Sequence, residues 1–214
     1  MKTTLLTFLA FIIGLSCFGQ EIELKSSLST SSEQRFQGSY GIGLQYQNNI
    51  GHKFKIGFGF HYNFNNSQFD YIPYVDANPE IIAAQKINSN SKRFSPRLNI
   101  QWLVRDNENV SISLGPEVSY NLIWGLDKID ERLNQYPSHY IFSQKLALTK
   151  DFGLGIISKI EIKKVLLPDL SLCFTIRPEI LIAKNILVFG TDPRPFSKSM
   201  ALTEFQIGLN YRFK

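Results

Sequence analysis

The chain has 214 residues, and its 23 Lys and Arg residues against 18 Asp and Glu residues give a formal charge of +5 at pH 7. The basic residues are spread along the chain instead of being clustered, so the composition argues against nucleic-acid binding. Beyond residue 19 no apolar run reaches the roughly 18 residues that a spanning helix needs, which excludes a helical membrane protein.

The N-terminus has the pattern of a secretory signal peptide. A basic residue, Lys2, precedes an apolar stretch over residues 5–15, and small residues follow within residues 16–19. The stretch is too short to span a membrane and has no amphipathic face. We therefore predict a signal peptide over residues 1–19 and a mature domain over residues 20–214.

The two cysteines bear on both processing and stability. Cleavage as a lipoprotein at Cys17 and a buried N-terminal helix are the alternatives to a simple signal peptide, although Gly14 stands where lipoprotein signals usually carry Leu. If Cys17 leaves with the signal, Cys173 remains alone and no intramolecular disulfide can form. A secreted chain of this size then needs a large core, a bilayer or strand closure for its stability.

The mature chain alternates apolar and polar residues in segment after segment, which is the pattern of β-strands with two different faces. The clearest segment is Lys53 to Phe64, where the apolar positions are mostly aromatic. Eight strands are predicted in chain order, over residues 20–29, 36–47, 53–64, 94–104, 110–122, 146–162, 170–182 and 202–213.

The connections between these strands alternate in length. Short ones follow the second, fourth and sixth strands, and long ones cover residues 65–93, 123–145 and 183–201, whereas residues 30–35 make a short first loop. An even strand number with short turns at one end is typical of bacterial outer-membrane barrels. The predicted fold is all-β, an eight-stranded antiparallel up-and-down transmembrane β-barrel with both termini in the periplasm. Within the long loops, short helices are predicted over residues 79–87 and along Leu126, Ile129 and Leu133.

The heights of the aromatic residues support a membrane location. Along the predicted strands they fall near the two rims, with aliphatic residues between them, as expected for two interfacial girdles around a lipid-facing belt. The periplasmic rim is predicted to hold Tyr46, Phe54, Trp102, Tyr211 and Phe213, and the outer rim Phe36, Tyr62, Phe64, Phe94, Tyr120 and Trp124.

The C-terminal strand resembles the assembly signal of bacterial outer-membrane proteins. A polar residue, Gln206, is followed by Gly208 and then by aromatics at alternate positions, Tyr211 and Phe213, although Lys214 adds one residue where the aromatic is usually last. With the signal peptide, the chain resembles the small porin-like outer-membrane β-barrels of Bacteroidetes-type bacteria. The resemblance implies recognition by the barrel-assembly machinery, a location in the outer membrane after export, and no catalytic motif.

The inward positions are predicted to fill the barrel, because eight strands enclose only enough space for side chains. A hairpin loop over residues 49–51 would place Gly41 opposite Gly59 and Gly43 opposite Gly57, leaving room for a large side chain from across the barrel. A turn around residue 107 would place Arg97 opposite Glu117. Buried charges have to be paired, so we predict an ion network of Arg97, Glu117, Arg177, Glu179, Lys55, Lys159, Glu204 and Arg212.

The function predicted is structural, or interaction through the outer loops, with no cofactor and no catalysis. Outer-membrane lipid is one expected partner, and an extracellular partner could bind the loops at residues 65–93 and 123–145. A gated ion path is an alternative use of the network. A barrel enzyme using His61 and a soluble lipocalin-like carrier are two further hypotheses, but no nucleophile motif or metal-ligand spacing accompanies His61.

Overall fold

The computed structural model of the chain describes residues 20–32, 38–75, 82–133, 139–182 and 199–213. These residues form eight antiparallel strands that close into a barrel in chain order, with the first strand paired to the last. The predicted eight-stranded up-and-down architecture is confirmed. The strands are β1 Gln20–Ser31, β2 Ser39–Ile50, β3 Phe54–Val75, β4 Ile82–Asp106, β5 Val110–Leu133, β6 His139–Ile162, β7 Leu170–Ile182 and β8 Ser199–Arg212.

The barrel is polar inside and apolar outside. On β1 the polar residue Glu23 is 1% exposed, whereas its apolar neighbour Leu24 is 63% exposed. The same alternation runs along the other strands, because successive side chains of a strand point to opposite faces. Burial therefore follows the opposite pattern to that of a water-soluble protein, in which the apolar members of each strand would face the core.

The strands are strongly tilted. Starting at Glu21 and stepping from each residue to the one directly opposite it on the next strand leads through Glu117 on β5. After one turn around the barrel this path returns to β1 at Ser31 instead of Glu21. This stagger along β1 is what closes a sheet of eight strands into a narrow cylinder. Side chains from distant strands consequently meet across the interior, which we call the lumen.

The four central strands are much longer than the others. Strands β3 to β6 have 22 to 25 residues, against 12 to 14 for β1, β2, β7 and β8. Their upper parts stay paired beyond the last pairs to β2 and β7, at Tyr40 with Phe64 and at Phe152 with Ile182. They form a projecting sheet at the long-loop end, comprising residues 65–75, 82–93, 123–133 and 139–151.

The helices predicted in the long loops are wrong for the described residues. Residues 82–87 belong to β4, and Leu126, Ile129 and Leu133 belong to β5. Residues 82–87 have strand neighbours on both sides, β3 and β5, and this pairing overrides the weak local preference for a helical turn. Among the described residues, no helix is long and apolar enough to cross a membrane.

The register predicted for the β2–β3 hairpin is also wrong. Gly51 has the expected left-handed backbone, with φ of 66°, but β2 continues to Ile50, which pairs with Phe54. The tight turn therefore covers residues 51–53 instead of 49–51. Gly41 lies opposite Asn63, and Gly43 lies opposite His61.

One glycine permits an unusually close approach of two strands. A Cβ atom added to Gly115 on β5 would overlap the carbonyl oxygen of Ile100 on β4, which is a backbone atom and cannot rotate away. A Cβ atom on Gly57 would instead meet the flexible amide ends of Asn99 and Gln45. The two glycines face the same lumen but differ in how readily their neighbours move.

We therefore expect Gly115→Ala to destabilise the barrel by about 1–3 kcal/mol, the usual range for overpacking, and Gly57→Ala to cost less. Urea unfolding of both variants in detergent micelles measures the difference. Equal losses for the two substitutions would show that β4 and β5 are not held as close together as the structure has them.

Candidate functional site

The lumen at the short-turn end holds a cluster of ion pairs around Glu21. The Nζ atom of Lys55 lies 2.9 Å from Glu21 and 3.4 Å from Glu161, and an Nη atom of Arg212 lies 2.6 Å from Glu21. The amide of Asn210 donates hydrogen bonds to both carboxylates. Strands β1, β3, β6 and β8 are thus connected through one group of charges.

A second cluster lies one step further into the lumen, around Glu23. Lys159 donates hydrogen bonds to Glu23 at 3.1 Å and to the amide oxygen of Gln47 at 3.0 Å. Lys25 lies 3.7 Å from the same carboxylate and donates a hydrogen bond to Gln45. All five side chains are buried, so that their charges are compensated by each other and by amides.

The third cluster is centred on Glu204 of β8. Both terminal nitrogens of Arg97 donate to its two carboxylate oxygens, at 2.7 and 2.8 Å. Arg93, two inward positions away on β4, donates to the same carboxylate. The planar guanidinium matches the carboxylate in this two-bond geometry, which makes it one of the stronger polar contacts available to a protein.

Two further glutamates complete this cluster. Glu117 lies 3.6 Å from Arg97 and 3.2 Å from Arg177, and Glu179 lies 3.7 Å from Arg97. Arg177 also donates a hydrogen bond to Gln45 at 2.7 Å, which connects the third cluster with the second. The three clusters follow one another along the lumen, and we call them together the ladder of ion pairs.

The structure brings together the residues predicted for the network, but not in the predicted arrangement. The register that placed Arg97 opposite Glu117 is wrong, since Arg97 pairs with Ser119 and Glu117 with Asn99. Glu204, and not Glu117, accepts the shortest contacts of Arg97. Sequence reasoning left other inward charges out of the network, although the same alternation marks them; among the described residues they are Glu21, Glu23, Lys25, Arg93, Asp127, Asp151 and Glu161.

His61 lies beside the third cluster in an arrangement that resembles a proton relay. Its Nε2 atom is 3.1 Å from the hydroxyl of Ser27, and its Nδ1 atom is 3.5 Å from Glu204. The imidazole occupies the space left by Gly41 and Gly43, where a Cβ atom would lie 2.9 and 2.5 Å from the ring. The expected large side chain thus comes from the neighbouring strand and not from across the lumen.

The surroundings of His61 do not favour catalysis. Glu204 is already held by two arginines, and Ser27, His61 and Glu204 are all buried. The nearby cavity, bordered by Asn63 and Arg93, measures about 10 Å³, which is the space of about one water molecule. Among the residues that the structure describes, no group of three metal-ligating side chains occurs.

Apolar side chains occupy the lumen next to the third cluster, on its long-loop side. Ile123, Leu181 and Met200 pack together and are buried, and Leu202 is buried close by. Buried polar residues such as Ser89 and Asp127 lie further towards the long-loop end, so these apolar side chains interrupt the polar lining but do not end it. These inward apolar side chains were not predicted, although the alternation of residues along β5, β7 and β8 places their positions on the inward face.

The residues of the predicted assembly signal lie on β8, between β7 and β1. Gln206 points inward and donates a hydrogen bond to Glu204 at 2.9 Å, and Gly208 lets the carbonyl of Leu24 approach closely. Tyr211 and Phe213 point outward with ring centroids 5.0 Å apart. Lys214 lies outside the described residues, and recognition by the assembly machinery stays a prediction.

Comparison with known proteins identifies the fold. Neisserial surface protein A is similar in structure, with a TM-score of 0.57 at 12% identity over 91% of this chain and 97% of that chain. A major outer membrane protein from Thermus thermophilus has a TM-score of 0.51 at 12% identity over 91% of this chain and 99% of that chain. No protein-family model and no curated protein matches the sequence. The fold is that of the eight-stranded outer-membrane β-barrels, and at this identity no residue role can be transferred.

The centre of the ladder offers a direct test of the ion pairing. Replacing Glu204 with Gln leaves Arg93 and Arg97 without their shared carboxylate, and breaking a buried pair typically costs about 3–5 kcal/mol. We expect Glu204→Gln to lower the unfolding free energy in micelles by that amount, and Glu108→Gln, at an exposed turn position, to leave it unchanged.

A double variant separates lost pairing from a general loss of structure. In the double variant Glu204→Gln with Arg97→Gln, one of the uncompensated charges is removed. Its loss of unfolding free energy should therefore be smaller than the sum of the losses in the two single variants. Strict additivity would show that the two side chains do not interact.

Proposed function

We propose that the protein is an integral outer-membrane β-barrel with a closed lumen, whose role is structural or consists of interaction through its projecting sheet. The observation that carries the proposal is the inverted distribution of side chains, with a buried ladder of ion pairs inside a predominantly apolar outer surface. Water cannot stabilise such an exterior, whereas the hydrocarbon of a bilayer can.

The apolar surface is a belt with aromatic borders. Its middle carries mainly aliphatic residues such as Leu44, Ile100 and Leu154, each about half exposed, together with Phe58 and Phe60 on β3. Near the short-turn end Trp102 lies opposite Phe54, and near the long-loop end Tyr62 and Trp124 have ring centroids 6.0 Å apart. Aromatic side chains at two heights with aliphatic ones between them match the two interfaces and the core of a bilayer.

Two alternatives fit less well. A soluble lipocalin-like carrier would expose polar side chains to water and keep an apolar pocket inside, whereas the lumen described above is filled by paired charges. An enzyme centred on His61 would need access for a substrate, whereas His61 is buried, and the cavity bordered by Asn63 and Arg93 has space for about one water molecule. These observations support the proposal of a barrel without catalytic activity.

The projecting sheet is the candidate surface for an external partner. It contains much of the two loops for which such a partner was predicted, and its outer edges are β3 and β6. Among the described residues, the pairs recorded for residues 139–150 of β6 are with β5, and β3 contains Pro73, which has no backbone N–H to donate. An extended peptide is the class of partner that the β6 edge fits.

A charge in the belt distinguishes a membrane environment from water. We expect Ile100→Arg to lower the free energy of unfolding in lipid vesicles by about 2–4 kcal/mol, the cost of an arginine on the lipid face near the bilayer centre. Asn109→Arg, in a short turn outside the belt, should have little effect. In water, an arginine at the half-exposed position 100 would be tolerated, so equal stabilities of the two variants would contradict the proposal.

A closed lumen predicts that the protein forms no conducting pore. Because paired side chains fill the interior and buried apolar side chains adjoin the third cluster, the purified protein in a planar bilayer should show no large, long-lived unitary conductance. Insertion has to be verified independently, for instance by protease protection in the same vesicles. Stable unitary currents from inserted protein would support the alternative of an ion path through the ladder.

A further inference from the structure

The outward face of the projecting sheet carries a cleft that the closed barrel does not explain. It lies where β3, β4 and β5 leave the belt, and its volume is about 660 Å³. We call it the lysine cleft, and it is lined by Asn66, Asn88, Asn90, Lys92, Trp124, Gly125, Leu126 and Lys128.

The charge around the cleft has one sign. Lys92 and Lys128 line it, and β6 adds Lys150, opposite Leu122, and Lys145, opposite Leu126, on the same outward face. Between the row of Phe94 and the row of Lys86, no described residue on this face is acidic.

Acidic side chains reappear only one row higher. Asp70 and Asp130 lie on either side of Lys86, on β3 and β5. Asp127 belongs to the band of the cleft but points to the opposite face, where it is buried. A band of lysines and amides is thus placed between an apolar belt below and a mixed-charge row above.

The height of the cleft indicates what occupies it. Trp124 is part of both the aromatic border and the cleft lining, and its ring lies 6.0 Å from that of Tyr62. Lys92 pairs with Trp124 on β5 and with Phe64 on β3, so it lies at the upper edge of the aromatic border. In a bilayer this is the height of the lipid headgroups.

We propose that the lysine cleft binds the phosphate-bearing headgroup of a membrane lipid in the leaflet at the long-loop end. The ammonium groups of Lys92 and Lys128 contact the phosphate, and the amides of Asn66, Asn88 and Asn90 donate to and accept from its polar neighbours. The acyl chains follow the aromatic border down onto the belt. This inference rests on the proposed membrane location and adds a lipid chemistry to it.

Trp124 provides the reporter for the test. The chain has two tryptophans, Trp102 near the short-turn end and Trp124 in the cleft, so Trp102→Phe leaves a single fluorophore at the site. This protein in detergent micelles is titrated with phosphatidic acid or with phosphatidylcholine, each carrying brominated acyl chains that quench tryptophan. Saturable quenching by phosphatidic acid, at a lower mole fraction than by phosphatidylcholine, is the expected result.

The lysines are tested in the same background. We expect Lys92→Gln with Lys128→Gln to weaken quenching by phosphatidic acid at least about tenfold, since each lysine near an anionic surface contributes roughly a factor of five. Quenching by phosphatidylcholine should not change. The matched control is Lys53→Gln with Lys164→Gln, two exposed lysines at the short-turn end, which should leave both titrations as they were.

Each of the other possible outcomes would contradict a specific part of the proposal. Equal quenching by the two lipids, or an unchanged response to phosphatidic acid in the cleft variant, overturns the lysine cleft while leaving the membrane location intact. Absence of quenching by either lipid in folded protein contradicts the membrane location itself. Displacement of phosphatidic acid by low millimolar inorganic phosphate would identify free phosphate as the ligand and overturn a lipid site.

Discussion

The need to neutralise charge in a narrow, closed lumen governs this structure. A carboxylate or a guanidinium taken out of water has a large desolvation cost, which is recovered only through close partners of opposite charge. The lumen satisfies this requirement continuously, from Lys55 and Glu21 at one end to Arg93 and Glu204 near the other. We expect such a ladder to contribute less to net stability than to specificity, because another register would separate these charges from their present partners.

Strand tilt is what allows the ladder to form. The arginine partners of Glu204 come from β4, and Lys159, which binds Glu23 of β1, comes from β6, so pairing between neighbouring strands alone would not bring these charges together. The stagger around the barrel places different levels of each strand at the same height. Glycines then make space locally, as at Gly153, where an added Cβ atom would overlap the carboxylate of Glu179. The inward sequence of each strand is therefore shaped by its neighbours on both sides.

The alternation of residues was sufficient to predict the fold, but not the contacts. The number of strands, their order and the inward face of each follow from a side-chain period of two. An error of an even number of residues in the register leaves the same residues facing inward. The predicted pairing of β4 with β5 was two residues off, so Arg97 and Glu117 still share the lumen and still approach to 3.6 Å. Register depends on where each turn closes, and at residues 48–53 several polar residues can form the turn. The central role of Glu204 depends on tilt, which no local pattern contains.

The long central strands divide the exterior into two surfaces with different chemistry. Below the row of Phe94 the outward positions are aliphatic or aromatic, and above it, from Lys92 upward, they are mostly amides and lysines. Pairing of β4 with β3 and with β5 keeps its register across this boundary, whereas the register of β5 with β6 shifts between Ile123 and Gly125. Because β3, β4 and β5 run from the apolar surface directly into the basic one, their pairing holds the two surfaces at a fixed relative height.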